Sequence, residues 1–101
     1  MEPIYSRFSS DPRMSEIISQ FATALLDRSQ EMAVAMASED IDRLSRLAHN
    51  LKGSAGGYGF DSISEAAAEL EQETLAVEAD VSNVQERVES LIELCSAVHQ
   101  A

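Results

Sequence analysis

The chain has 101 residues, room for one domain and one hydrophobic core. Its composition, 45% hydrophobic, is globular rather than disordered, and no apolar run nears the ~20 residues needed to span a bilayer. Its net charge of −11, from 18 acidic and 7 basic residues, excludes nucleic acid and anionic membrane surfaces, which demand Lys and Arg.

The N-terminus has no signal-peptide pattern, so a cytoplasmic protein is expected. Cys95 stands alone, which rules out an intrachain disulfide. Its neighbours Leu91, Ile92 and Val98 make it a small core hydrophobe rather than a reactive thiol. With only two prolines and four glycines, long uninterrupted elements are expected.

Residues 1–10 form an N-terminal arm or short helix, with Ile4, Tyr5 and Phe8 as one apolar edge if helical; a loose tail is the alternative. Residues 11–101 carry four segments with apolar residues at helical spacing. The first follows Asp11-Pro12, which suit an N-cap and a first helical position, and its stripe is Met14, Ile17, Ile18, Phe21, Leu25, Met32 and Met36. Asp40 is placed to cap the second, whose stripe is Ile41, Leu44, Ala48, Leu51, Ala55 and Tyr58. Gly56, Gly57 and Gly59 at its end suit left-handed C-cap conformations.

The third segment opens at Asp61 or Ser62, with Ser62 and Glu65 matching a capping box. Its inner face is Ile63, Ala66, Ala67, Leu70, Thr74 and Val77. Asp80 and Ser82 both offer caps for the fourth, where Ser82 and Gln85 again resemble a box, and the stripe is Val81, Val84, Val88, Leu91, Cys95 and Val98. No segment alternates with period two. Short connections between helices of similar length predict an all-α fold, an antiparallel up-down-up-down four-helix bundle.

His49 stands apart from this core. On a helical wheel it points roughly 140° from the second stripe, so it is expected to face solvent from the middle of a long helix. Ser45 and Arg46 lie one turn before it, Lys52 and Gly53 one turn after. Lys52 can offer an ammonium to phosphate oxygens, and Gly53 leaves the approach free of a side chain. A glycine within a helix costs about 1 kcal/mol relative to alanine, which access to the imidazole would explain. A neutral imidazole nitrogen is nucleophilic near neutral pH and its phosphoramidate is labile. Phosphoryl transfer runs mainly on positioning and charge stabilisation, so a partner can bring the metal and the acidic pocket. His99 has no such setting.

The stretch His49-Asn50-Leu51-Lys52-Gly53, followed by Gly59, resembles the signature of histidine-containing phosphotransfer (HPt) domains. That signature reads His, any residue, Leu, Lys, Gly, then Gly six residues on, and the sequence departs from it nowhere. Leu47-Ala48, Ser54-Ala55 and Phe60 are similar to the family too, and the resemblance covers nearly the whole chain. It implies that His49 accepts the phosphoryl group, through Nε2, that Lys52 stabilises it and that Gly53 keeps the approach open. Gly59 would belong to the turn that ends the helix. The implied partners are receiver domains of response regulators or hybrid histidine kinases, exchanging phosphate through an aspartate. The protein would be a monomeric carrier, not an enzyme, with no ATP-binding or autokinase machinery and no cofactor or metal.

Kinase dimerisation helices also expose a His, but there an acidic residue follows it and a polar one comes four residues on; here those places hold Asn50 and Gly53. A metal-binding bundle wants Glu-x-x-His pairs, yet Arg46 and Ser96 stand three residues before His49 and His99. The acidic residues of 61–101 read as a solvated face. The competing function is a bundle that binds partners without transferring phosphate.

In the first helix Ala22, Leu26 and Ala33 fall off the stripe, Leu26 by roughly 135°. Leu26 is either covered by the Ile4–Phe8 segment or part of an apolar docking surface beside His49. Arg43, Ser45 and Arg46 would complete that surface and face the receiver's acidic pocket. Residues 61–101 hold ten Asp/Glu against the single Arg87 and would repel the receiver, orienting the encounter.

Overall fold

Three short breaks divide the chain into α1 (Ser15–Ala37), α2 (Ile41–Gly57), α3 (Asp61–Leu75) and α4 (Val81–Ser96). The structure, a computed structural model, describes residues 2–76 and 78–98, so the expectations for Val77 and His99 lie outside the described residues. α1 packs on α2 and α4, and α3 on the same two, which closes the up-down-up-down bundle that the periodicity predicts. No described helix is long and apolar enough to cross a membrane.

The core follows the stripes in α2, α3 and α4, apart from Val81, which is exposed in the first turn of α4: Leu44, Ala48, Leu51, Ala55, Ile63, Ala67, Leu70, Val84, Val88, Leu91 and Cys95 are all buried. Burial pushes the Cys95 thiol up to about 11, so it is an inert core side chain. α1 departs from its stripe in three places. Ala22 and Ala35 are buried, because a bundle helix touches two neighbours and its inner face is wider than one row. Ile17 is 41% exposed. Phe21 stacks on Tyr58, the residue that ends α2, at 4.7 Å between ring centroids, so Ile17 lies a turn beyond the helix that could have covered it.

Helix ends depart more often. Asp40 caps α2 as expected, accepting from the Arg43 amide at 3.2 Å. Asp11-Pro12 does not open α1, which starts at Ser15. The Asp11 carboxylate is instead held by the amide of Arg13 at 2.9 Å and by its guanidinium, which lowers its pKa and fixes a local turn. Neither capping box forms. Phe60 occupies the N-cap of α3 with no side-chain cap, and its ring is buried; Asp80 caps α4 through the Ser82 amide at 2.9 Å, leaving Ser82 inside the helix.

Of the three glycines at the end of α2, only Gly59 is left-handed, with φ 83°. Its amide bonds to Gly56 O at 3.2 Å and that of Phe60 to Ala55 O at 2.8 Å, the two bonds of a Schellman motif. α1 ends in the same way, the amides of Glu39 and Asp40 bonding to Met36 O and Ala35 O, but there the left-handed residue is Glu39, φ 52°.

The N-terminal segment is neither helix nor loose tail. It is an arm, bridged at Ile4 and turning over residues 7–10, tied to the rims of α2, α3 and α4. Ile4 N donates to Ala97 O at 2.7 Å, Ser6 Oγ to Tyr58 O at 2.6 Å and Arg7 N to Gly59 O at 2.9 Å; Arg7 also pairs with Asp61 at 2.8 Å. Ile4 and Phe8 pack on the core while Tyr5 is exposed, because extended backbone turns alternate side chains outward. Gly59 makes this possible: a Cβ there would meet Ser6 Oγ at 2.7 Å and Phe8 Cδ2 at 2.9 Å.

The two turns therefore respond oppositely to substitution. Gly59→Ala is expected to lower unfolding stability by about 2 kcal/mol or more, from left-handed strain plus the clash with the arm. Glu39→Gly should raise it by about 1 kcal/mol, strain relief exceeding the added unfolded-state entropy. Urea denaturation of both variants measures this; unchanged midpoints would show that neither turn depends on left-handed geometry.

Candidate functional site

The wheel puts His49 outside the core, and the structure places it there, with 65% of its side chain exposed. It stands at the middle of α2 because Ala48 and Leu51, its neighbours in sequence, turn inward. Lys52 lies three residues on and shares its face. Across from both, α3 contributes Glu71, whose side chain is only 14% exposed.

Glu71 joins the two α2 residues. Its Oε2 is 2.8 Å from His49 Nδ1, and its Oε1 accepts from Lys52 Nζ at 2.6 Å. The hydrogen bond from Lys52 is the main cause holding the Glu71 carboxyl below its ordinary range; the bond from His49 adds to it and burial opposes it. The carboxylate is thus ionised at neutral pH and can only accept, so Nδ1 carries the proton. In a neutral imidazole the lone pair then rests on Nε2, across the ring from the anchor. What the arrangement offers is an exposed, orientation-locked nucleophilic nitrogen beside a cation. Ser64 Oγ donates to Lys52 O at 2.8 Å and ties α3 to α2 one turn further along.

Gly53 has open space where a Cβ would stand, so no neighbour within the chain requires a glycine there. Gly59 serves the turn and the arm, nearly three turns from His49.

The docking residues expected from the sequence separate in space. Ser45 and Arg46 line a shallow groove with His49, Asn50, Glu71 and Leu75, between α2 and α3. Arg43 lies in a second groove, between α1 and α2, with Asp27, Gln30, Glu31 and Val34. Leu26 lines neither; it is 56% exposed, so the arm does not cover it.

Sequence reasoning missed Glu71 and Leu75. Leu75, at the end of α3, is 67% exposed. It sits roughly 130° from the α3 stripe, and the wheel argument applied to Leu26 would have found it. Glu71 had no comparable signal, being one of several carboxylates along α3.

The family model described as "Hpt domain" matches residues 16–101. A 60-residue stretch, 59% of the chain, is 38% identical to the sensor protein TorS of Escherichia coli (strain K12), and spans 6% of that protein's length. No solved structure matches significantly. With its four-helix bundle and a family match over all four helices, the chain belongs to the Hpt domain family of two-component phosphorelays.

Proposed function

We propose that His49 is the phosphoryl carrier of this domain, taking phosphate from the aspartate of one receiver domain and passing it to that of another. The observation that carries this reading is the 2.8 Å contact between His49 Nδ1 and the Glu71 carboxylate, which selects the Nδ1–H tautomer. With Nδ1–H donated to Glu71, the Nε2 lone pair attacks the phosphorus of a phospho-aspartate. The P–O bond to the aspartate breaks, the aspartate leaves as a carboxylate, and Nδ1 keeps its proton against Glu71. The reverse step returns the phosphoryl group to another aspartate and restores the neutral ring. Lys52 shields the negative charge on this face, and positioning supplies most of what transfer needs. The match to a sensor protein supports a signalling setting. The protein acts as a monomeric carrier in the cytoplasm, with neither nucleotide nor cofactor of its own.

The receiver docks over the α2–α3 groove, where Ser45, Arg46 and Asn50 surround His49 and Leu75 offers an apolar contact. Arg43 adds positive charge from the neighbouring groove. Leu26, on α1, is a more distant part of that surface.

His49→Gln should abolish acid-labile, base-stable label from a phosphorylated receiver while leaving helicity and melting unchanged, since exposed changes usually cost under ~0.5 kcal/mol. Lys52→Ala should slow transfer or shorten phosphohistidine lifetime on the order of tenfold, the scale of one charge-assisted contact. Label retained by the His49 variant would refute the carrier role and leave a bundle that only binds partners.

Gly53→Ala is expected to separate stability from transfer. With open space for the new methyl, it should stabilise α2 by about 1 kcal/mol and yet slow exchange with the receiver. If transfer is as fast as in the parent protein, Gly53 has no part in access.

Leu75→Asp should weaken receiver binding with little loss of stability, and more so than Leu26→Asp, because Leu75 borders the ring. Titration of a labelled receiver by fluorescence measures both; a larger effect at Leu26 would move the docking surface to α1.

A further inference from the structure

The cation best placed on this face by charge count is not the best placed to act. Lys52 already spends its ammonium on Glu71, at 2.6 Å. That carboxylate has one negative charge, shared between Lys52 and the Nδ1–H of His49. A phosphoryl group on Nε2 would bring about −1.5 to −2 more. It would arrive in a groove whose charged lining is Glu71 and Arg46.

Arg46 is the unspent charge. It lies one turn before His49 on α2, is exposed, and makes no ion pair or side-chain hydrogen bond among the described residues. Four other arginines are engaged: Arg7 with Asp61, Arg13 with Asp11, Arg28 with Glu31 and Arg87 with Glu69. Arg43 faces Asp27 and Glu31 in the other groove. Residues three apart on a helix have Cβ atoms about 5–6 Å apart, well within the reach of an arginine side chain. A guanidinium meets phosphate oxygens with two parallel N–H donors, a geometry an ammonium cannot offer.

We propose that Arg46 is the phosphoryl-binding residue of the phosphorylated state, closing over the group on His49 Nε2 while Lys52 stays with Glu71. This rests on the carrier reading of His49. Arg46 is more than a docking charge for a receiver, because its partner is present within the phosphorylated domain itself. The charged groups facing the phosphorylated ring are Arg46 and Lys52 from α2 and Glu71 from α3.

The test needs no receiver. Phosphoramidate phosphorylates the intact protein: Nε2 attacks phosphorus, the donor's P–N bond breaks, ammonia leaves, and Nδ1 retains its proton against Glu71. Phosphorus NMR then follows the last ionisation of the phosphoryl group with pH, and proton–nitrogen NMR follows the Arg46 Nε–H. A guanidinium on the phosphoryl oxygens favours the dianion and lowers that midpoint. Arg46→Ala should therefore raise it by about half a pH unit, Arg46→Lys should restore part of the shift, and the Nε–H signal should move on phosphorylation of the parent protein. An unchanged midpoint with an unmoved Nε–H overturns the proposal. If, in addition, Arg46→Ala slows receiver transfer in a salt-dependent way, Arg46 is a docking charge only. A parent protein that takes no label at Nε2 fails differently: it overturns the carrier reading, and the proposal with it.

Discussion

Glu71 holds the site together by being nearly buried yet ionised. A carboxylate taken out of water needs donors, and it finds two on the neighbouring helix, His49 Nδ1 and Lys52 Nζ. The requirement acts in both directions. The carboxylate is kept charged chiefly by Lys52, and the charged carboxylate leaves the imidazole one tautomer in which to pair with it. The ring is then oriented by a bond from α3 rather than by packing, which lets it remain exposed. An exposed histidine on a long helix would otherwise sample several rotamers. The same carboxylate takes up the lysine's charge, which leaves Arg46 as the cation in the groove without an ion pair among the described residues.

For that bond to form, α2 must present two faces to its surroundings at once. Leu44, Ala48, Leu51 and Ala55 enter the core, while His49 and Lys52 stand beside α3. Small residues make the arrangement possible. Ala48 and Ala55 are fully buried, and alanine lets helix axes approach closely. At the far end the left-handed Gly59 turns the chain directly into α3 and receives the arm. The buried ring of Phe60, 5.6 Å from that of Phe21, links α1 to the same turn. The turn sets how α3 enters the bundle, and so where Glu71 meets α2.

Charge is distributed to match. The acidic residues of α3 and α4 face solvent for the most part, with Glu69 paired to Arg87 across the two helices. Such exposed pairs contribute little to stability. Their role is in the field around the molecule, which is negative on one half and near neutral on the half that carries His49. Arg46 and Leu75 lie where the two halves meet, a cationic and an apolar contact in the groove that holds the ring.

The amino-acid sequence by itself determined the four helices, three of the four core stripes, the exposure of His49 and the company of Lys52 and Gly53. Each of these follows from spacing along a single helix, where 3.6 residues per turn converts position into direction. The helix ends were legible only in part, because Asp11, Ser62 and Ser82 look like caps until competing partners are known: Arg13 takes the Asp11 carboxylate, Phe60 fills the start of α3, and Asp80 reaches the Ser82 amide first. The arm showed the same limit, since its partners are the carbonyls of Tyr58, Gly59 and Ala97, more than 50 residues away in the chain. Only the tertiary structure chose Glu71 from the carboxylates of α3, separated Leu26 and Arg43 from the groove at His49, and brought Leu75 to its edge. Those relations depend on the rotation of one helix against another, which no periodicity within a helix encodes.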